Sequence, residues 1–315
     1  MLDLHILLAN VLLFVALMLP GFLLGRCGRL SEGASGGVTN ILTDVAMPAL
    51  VLVKLLETDP TTVSRTEVLC CVLFPVGLEL LLFWLTGALL RGKASASRSA
   101  RFCAIFSNCG FLGIPLAAAV FPDAPKVTAL VSLFNVFSTF MLLTLGSALL
   151  SGEWRHVRPV GALLKPVTLA VLIGGALSLS GVGQQLGWLQ TYASYLAALT
   201  TPLAMLLLGL SLSGLSLRTL FATPQLYFVA AIKLLLSPLL VLGALMLLRL
   251  LGASISEELT CALFLSAAVS TAASAPAMAA RLGGDGQLAA VFTLGTTLLC
   301  VLTLPLLSLL VTFIF

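Results

Sequence analysis

Charge is what this sequence has least of: Asp, Glu, Lys and Arg make up only 9% of its 315 residues, against 60% hydrophobic residues and a mean hydropathy of +1.16. A soluble globule could not cover that much apolar surface, so water is excluded as the main solvent of the folded chain. Long polar stretches are missing too. No connection between apolar runs exceeds about 15 residues, too short for a separate folded domain. Histidine occurs only at His5 and His156, and neither His-Glu-x-x-His nor Gly-x-Ser-x-Gly is present. Metalloprotease and serine-hydrolase chemistry therefore lack their residues, and no enzymatic activity is expected. A Walker A sequence is also missing, which removes ATP-driven transport; Gly283-Gly284-Asp285-Gly286 has no following Lys-Ser/Thr and reads as a turn.

The seven cysteines, Cys27, Cys70, Cys71, Cys103, Cys109, Cys261 and Cys300, have no metal-binding spacing. The vicinal Cys70 and Cys71 point to different faces of one helix, so neither a metal site nor a disulfide framework is expected, and no cofactor is implied. Small apolar fillers are the expected role. The net charge of +4 gathers into no basic cluster on a soluble surface, which favours loops facing anionic lipid over nucleic acid.

What the chain does have is apolar runs of about 20 residues, each long enough to cross a hydrocarbon core of about 30 Å. Ten are expected, at 4–24, 36–56, 68–90, 102–121, 127–150, 160–182, 189–212, 226–248, 259–282 and 288–313. Helix satisfies every backbone group inside each run, so an all-α membrane protein is expected. The first run is not read as a cleavable signal peptide, because Asp3 and His5 precede it where basic residues belong, and it is too long.

Ten crossings sort the basic residues sharply. Arg26, Arg29, Arg91, Lys93, Arg98, Arg101, Arg155, Arg158, Lys165, Arg218 and Arg281 fall on one side, and only Lys54, Arg65, Lys126 and Arg249 on the other. The positive-inside rule makes the first side cytoplasmic and leaves both termini outside, which is periplasmic for a bacterial inner membrane. Trp188, Tyr192 and Tyr227 stand at span ends, as interfacial anchors do.

Five spans per half put residues 153–315 into the membrane upside down relative to residues 1–152, the inverted repeat of many secondary transporters. Prolines mark the correspondence. Spans 2 and 7 carry Met47-Pro48-Ala49 and Thr201-Pro202-Leu203, and spans 3 and 8 carry Pro75 and Pro238. Span 4 contains Asn108-Cys109-Gly110-Phe111-Leu112-Gly113-Ile114-Pro115; span 9 contains Ser270-Thr271-Ala272-Ala273-Ser274-Ala275-Pro276. An interior proline removes a donor and clashes with the preceding turn, and in lipid such a break survives only where protein, water or ligand satisfies the freed groups. Pro115 and Pro276 are therefore expected to break spans 4 and 9, which cross near mid-membrane. The half-helices starting there turn partial positive charge toward an anion. The other prolines read as ordinary membrane-helix prolines.

The Asn108 to Gly113-Ile114-Pro115-Leu116 spacing resembles the auxin efflux carrier family, which includes plant PIN auxin transporters and bacterial permeases linked to malonate and malate. The second half continues the likeness with Pro276-Ala277-Met278-Ala279-Ala280-Arg281, Asp285 and Thr303-Leu304-Pro305, so that it covers essentially the whole chain. The resemblance implies a ten-helix crossover fold with spans 1, 2, 6 and 7 as scaffold, and spans 3–5 and 8–10 as a moving transport domain. It also implies a homodimer through the scaffold, by spans 2 and 7. The long loop of many plant members is missing between spans 5 and 6, which makes a bacterial type the better match. Related plant carriers place an acidic residue and a lysine on span 3, whereas this span has Glu79 without a lysine nearby.

Asp44, Glu79 and Lys233 lie within apolar spans, where an ionised group costs several kcal/mol unless paired or hydrated. Glu79 and Lys233 are expected to form an ion pair or shared proton site, with Asp44 across the domain boundary; a salt bridge that only fixes packing is the rival reading. Substrate contacts are expected from Asn108, Gly110, Gly113, Pro115, Asn135, Ser270, Thr271, Ser274, Pro276 and Thr296, with Thr297 beside it; for Asn135, Thr296 and Thr297 interhelical hydrogen bonding is the rival reading. The expected function is a secondary carrier of a small organic anion, a mono- or dicarboxylate, with proton, sodium or no coupling; a sensor module or a channel of the same fold is the alternative. Gly21-Phe22-Leu23-Leu24-Gly25 matches small-xxx-small packing without identifying its partner.

Overall fold

The computed structural model describes residues 4–29, 32–90, 92, 94–153, 160–214, 216, 218, 220 and 222–314; Arg91, Lys93, Arg155, His156 and Arg158 lie outside them. The described residues are helical, with a single isolated β-bridge. Among the described residues, seven helices are long and apolar enough to cross a membrane: α1 (Leu4–Arg26), α2 (Ser35–Glu57), α3 (Arg65–Leu89), α6 (Pro125–Ser151), α8 (Gly187–Ser213), α9 (Pro224–Leu250) and α12 (Gly286–Val311). Between them lie shorter helices, α4 (Ser95–Ile105), α5 (Cys109–Val120), α7 (Pro166–Leu179), α10 (Glu257–Ala268) and α11 (Ala275–Arg281). Expected span 9, at 259–282, is thus α10 plus α11, whereas expected span 4, at 102–121, takes in α5 and only the last turn of α4, which already begins at Ser95. This is a multi-pass membrane protein.

Proline acts in two ways here. Pro20, Pro75 and Pro305 sit inside continuous α-helix. Pro48, Pro115 and Pro238 instead each follow a π-helical turn, at Leu42–Ala46, Cys109–Gly113 and Ala231–Leu236. Widening the turn by one residue gives the carbonyls ahead of a proline other donors and relieves its ring clash.

Among the described residues α1 lies on α8 while α7 and α8 lie on α2; α3 and α10 lie on α6, α9 and α11 lie on α12, and α2 also packs on α6. The α1–α8 contact is unusually close. A Cβ on Gly21 would run into the Leu206 carbonyl oxygen, one on Gly209 into the Met18 carbonyl oxygen, and one on Gly25 into the Ser213 hydroxyl. The Gly21-to-Gly25 pattern therefore finds a Gly209-to-Ser213 pattern within its own chain, where missing side chains let two backbones touch.

Helices α3, α6 and α10 are stapled together at one end. Ser64 and Glu67 form a capping box that starts α3, and Glu67 also accepts from Ser256, the N-cap of α10. Lys126, in the first turn of α6, reaches Glu67 at 2.8 Å, the Thr62 carbonyl at 2.8 Å and Glu258 at 3.9 Å. Three helix N-termini thus share one ionic knot, with Glu67 almost wholly buried in it.

Candidate functional site

The two short-helix pairs meet at their breaks. Helix α4 ends at Ile105 and α10 at Ala268, and the irregular residues after each pair antiparallel, Ser107 opposite Thr271. The Asn108 N–H donates to the Ser270 carbonyl at 2.7 Å, and the Ala272 N–H to the Phe106 carbonyl at 3.0 Å. Backbone groups left without helical partners would be costly in the membrane interior, and each break supplies the other's partners. Side chains complete the accounting. Thr271 Oγ1 donates to the Cys103 carbonyl at 2.7 Å, Thr296 Oγ1 accepts from the Thr271 N–H at 3.1 Å, and Thr297 Oγ1 donates to Ser270 Oγ at 3.1 Å.

The break before α11 lies where Pro276 predicts it, with the proline in the first turn, where its missing N–H costs nothing. The other break is farther from its proline than expected. It falls at 106–108, and Pro115 sits beyond an intervening π turn. Cross-pairing to Ser270–Ala272 holds the chain out of helix there, while the π turn answers the proline.

Against this crossing lies a cavity of about 430 Å3. Its wall includes Ser107, Asn108, Gly110 and Phe111 from the first break and α5, Ala272, Ala273 and Ser274 from the second, and Asn135 and Thr139 from α6. Thr43 and Asp44 come from the π turn of α2, Leu142 and Leu143 from a π turn of α6, Lys165 and Thr168 from the start of α7, and Arg281 from the end of α11. Lys165, just before α7, and Arg281, at the close of α11, lie at helix ends, whereas the Glu67–Lys126 knot, outside the lining, lies at the starts of α3, α6 and α10. Two cationic side chains face one carboxylate, and Asp44 is exposed in the cavity with Thr43 Oγ1 donating to it at 2.9 Å. Asn108 is only 2% exposed, and its Nδ2 has no partner among the described residues. An unpartnered buried donor on a residue that lines a polar cavity is where a ligand acceptor fits. Gly110 keeps that wall open: a Cβ there would stand 3.3 Å from Met47 Cε and 3.4 Å from Asn135 Oδ1.

Of the site residues expected from sequence, Asn108, Gly110, Asn135, Ser274 and Asp44 come together around the cavity. Ser270, Thr271, Thr296 and Thr297 are buried behind its wall, holding the breaks together. Gly113 packs on the Cys109 side chain, Pro115 is buried in α5, and Pro276 lies at the opening of α11, away from the cavity lining. Ser107, Lys165 and Arg281 are not among the site residues expected from sequence; Arg281 stands there in the family-like Pro276 to Arg281 run and, with Lys165, among the basic residues of one side, and only Lys165 standing just before Pro166 marks a helix entrance.

Glu79 and Lys233 lie one layer behind. Lys233 is fully buried and donates to Ser107 Oγ and, at 3.2 Å, to the Ala267 carbonyl. Glu79 accepts from Ser138 at 2.5 Å, while its second oxygen has no partner among the described residues. The two side chains form no direct ion pair among the described residues. Lys233 is thus tied to the back of the crossing through Ser107. Six of the cysteines are buried, Cys27 is exposed, and no group of metal-ligating side chains forms among the described residues.

The profile of a family described as membrane transport protein matches residues 6–308. The chain belongs to that family, the one that includes the auxin efflux carriers. A protein of Methanothermobacter thermautotrophicus described as an uncharacterized transporter is 28% identical over 306 residues, covering 95% of this chain and 96% of its own. The uncharacterized transporter MJ1031 of Methanocaldococcus jannaschii is 27% identical over 221 residues, 66% of this chain and 70% of its own. This membrane transport protein accordingly acts on a small-molecule substrate, and its family is not an enzyme family.

Proposed function

We propose that this membrane transport protein is a secondary carrier that moves a small organic anion, a mono- or dicarboxylate, across a bacterial inner membrane by alternating access. The carrying observation is the antiparallel pairing of two broken helices directly against a polar cavity in which Lys165 and Arg281 outnumber Asp44. A volume of about 430 Å3 lies at the small-metabolite end of the usual pocket range of roughly 300–1,000 Å3. In this reading α4 with α5, and α10 with α11, each make one crossing of a ten-crossing inverted repeat divided at residues 152 and 153. The group α1, α2, α7 and α8 is the scaffold, the remaining helices are the moving body, and the cavity faces the cytoplasm with both termini periplasmic. The Glu67–Lys126 knot then closes the periplasmic end, and a homodimer forms through α2 and α8.

Coupling is assigned to Glu79 and Lys233. Substrate at Asn108 alters the setting of Ser107, and Ser107 is a partner of the buried ammonium. Proton or sodium movement would be read by that pair, with Asp44 on the cavity side. The test is uptake of labelled mono- and dicarboxylates into proteoliposomes, with counterflow. Saturable uptake accelerated by internal unlabelled anion supports the carrier, and Arg281→Gln should raise KM about tenfold, the loss of one charge-assisted hydrogen bond. Unsaturable flux without counterflow would make it a channel, and absence of flux for every anion in the panel would reject the reading.

A further inference from the structure

A second cavity, of about 450 Å3, lies between α3, α4 and the end of α6, away from the crossing. Its wall is divided by chemistry: Phe83 and Leu145 supply an apolar side, while Arg98, Arg101, Ser151 and Glu153 supply a polar one. Both guanidinium groups are held in place. Arg101 donates Nη2 to the Phe83 carbonyl at 3.1 Å, and its Cζ stands 5.0 Å over the centre of the Phe83 ring. A Cβ on Gly87 would come within 2.9 Å of the same nitrogen, so a glycine of α3 makes room for the guanidinium. Arg98 donates Nη2 to the Gly283 carbonyl at 2.8 Å, in the turn between α11 and α12, and neighbouring Ser99 accepts from the Asp285 N–H at 2.8 Å.

Holding a guanidinium between helices by neutral backbone acceptors leaves its charge uncompensated. Neither arginine is ion-paired to a carboxylate among the described residues, and the buried Nε of each has no acceptor there. Two arginines against Glu153 leave the cavity one positive charge in excess. Such a site asks for an anion whose oxygens accept from planar forks, and phosphate matches that geometry. The apolar wall beside the forks fits an acyl chain or glycerol backbone, and basic pockets between transmembrane helices at the basic-rich face of a protein hold phospholipid head groups.

We propose that Arg98 and Arg101 form a phosphate-binding site, distinct from the central cavity, that takes the phosphodiester of an anionic phospholipid or a free phosphate. The site joins α3, α4 and α6 and, through Arg98, the α11–α12 turn two residues beyond Arg281. Occupancy therefore stabilises the turn next to Arg281 in the wall of the central cavity.

The full-length protein in detergent is compared by native mass spectrometry and thermal unfolding with added phosphatidylglycerol, phosphatidylcholine or inorganic phosphate. One tightly retained phosphatidylglycerol per chain, with a higher Tm than in phosphatidylcholine, is expected. The Arg98→Gln/Arg101→Gln double variant should lose at least tenfold in that affinity, and Arg26→Gln, which removes a cation at the same end but outside the cavity, should keep it. Arg101→Lys, which keeps the charge and loses the fork, gives a milder test should the double variant not fold, with weaker binding expected. A response to lipid alone identifies the head group as the source, and stabilisation by inorganic phosphate identifies the free anion. Equal behaviour in phosphatidylglycerol and phosphatidylcholine without any phosphate response, or full affinity in the folded arginine variants, would overturn the proposal.

Discussion

Replacing Thr271 by valine removes one hydroxyl from the crossing and almost nothing else, because the two side chains have nearly the same shape. The hydroxyl donates to the Cys103 carbonyl at 2.7 Å, and that carbonyl belongs to the last turn of α4, where helical donors have run out. Thr271 is 0% exposed, so water does not replace the lost donor. Interhelical hydrogen bonds in membrane proteins average only about 0.6 kcal/mol, since the unfolded chain finds other partners. An acceptor stranded in a dry interior costs more, about 1–3 kcal/mol. The second figure governs here, because the break fixes the carbonyl away from any alternative. Thr271→Val is expected to destabilise by about 1–3 kcal/mol, five- to 150-fold in the folding equilibrium. Thr293 is the matched control: it is 4% exposed and its Oγ1 has no partner among the described residues, so Thr293→Val should be neutral or slightly stabilising. Reversible unfolding in mixed micelles, read by circular dichroism, measures both. Equal losses in the two variants would mean that polarity at the crossing has no special role, and the reasoning would fail.

Gly209→Ala forces the α8 backbone off the Met18 carbonyl and should cost about 1–3 kcal/mol, with Gly21→Ala similar and the double variant less than additive, because the first methyl already separates the helices. Thermal unfolding of the three variants checks this, and a Gly209→Ala protein as stable as wild type would refute the backbone contact. Lys126→Met leaves Glu67 buried without its cation and should lose about 3 kcal/mol, whereas the Lys126→Met/Glu67→Gln double variant should recover part of it. No recovery in the double variant would show that the two residues act separately.

Much of the architecture is legible in the sequence because lipid leaves the backbone few choices. Apolar length alone locates α1, α3, α9 and α12 to within a few residues, and the small polar residues before Pro276 locate the second break. The first break was harder to place. Nothing local in Phe106-Ser107-Asn108 forbids helix; those residues leave it because Ser270 and Ala272 offer partners far away in the chain. The same long-range origin hides Lys165 and Arg281, which belong to loops and helix ends in one dimension and meet at a cavity only through the packing of α7 and α11. Thr271 and Thr296 were visible as polar residues in apolar spans, but whether a hydroxyl faces a ligand or a stranded carbonyl depends on rotation about the helix axis, which polarity does not encode.

The most direct test of a hydrated anion cavity at the crossed breaks is thiol labelling in a Cys27→Ser background, since the other native cysteines are buried. Ser274→Cys, exposed in the cavity wall, should react with a charged, membrane-impermeant thiosulfonate, and the transported carboxylate should slow that reaction; Ser270→Cys, 0% exposed behind the wall, should stay unlabelled. Labelling of both positions, or labelling at Ser274→Cys that no carboxylate slows, would contradict the account.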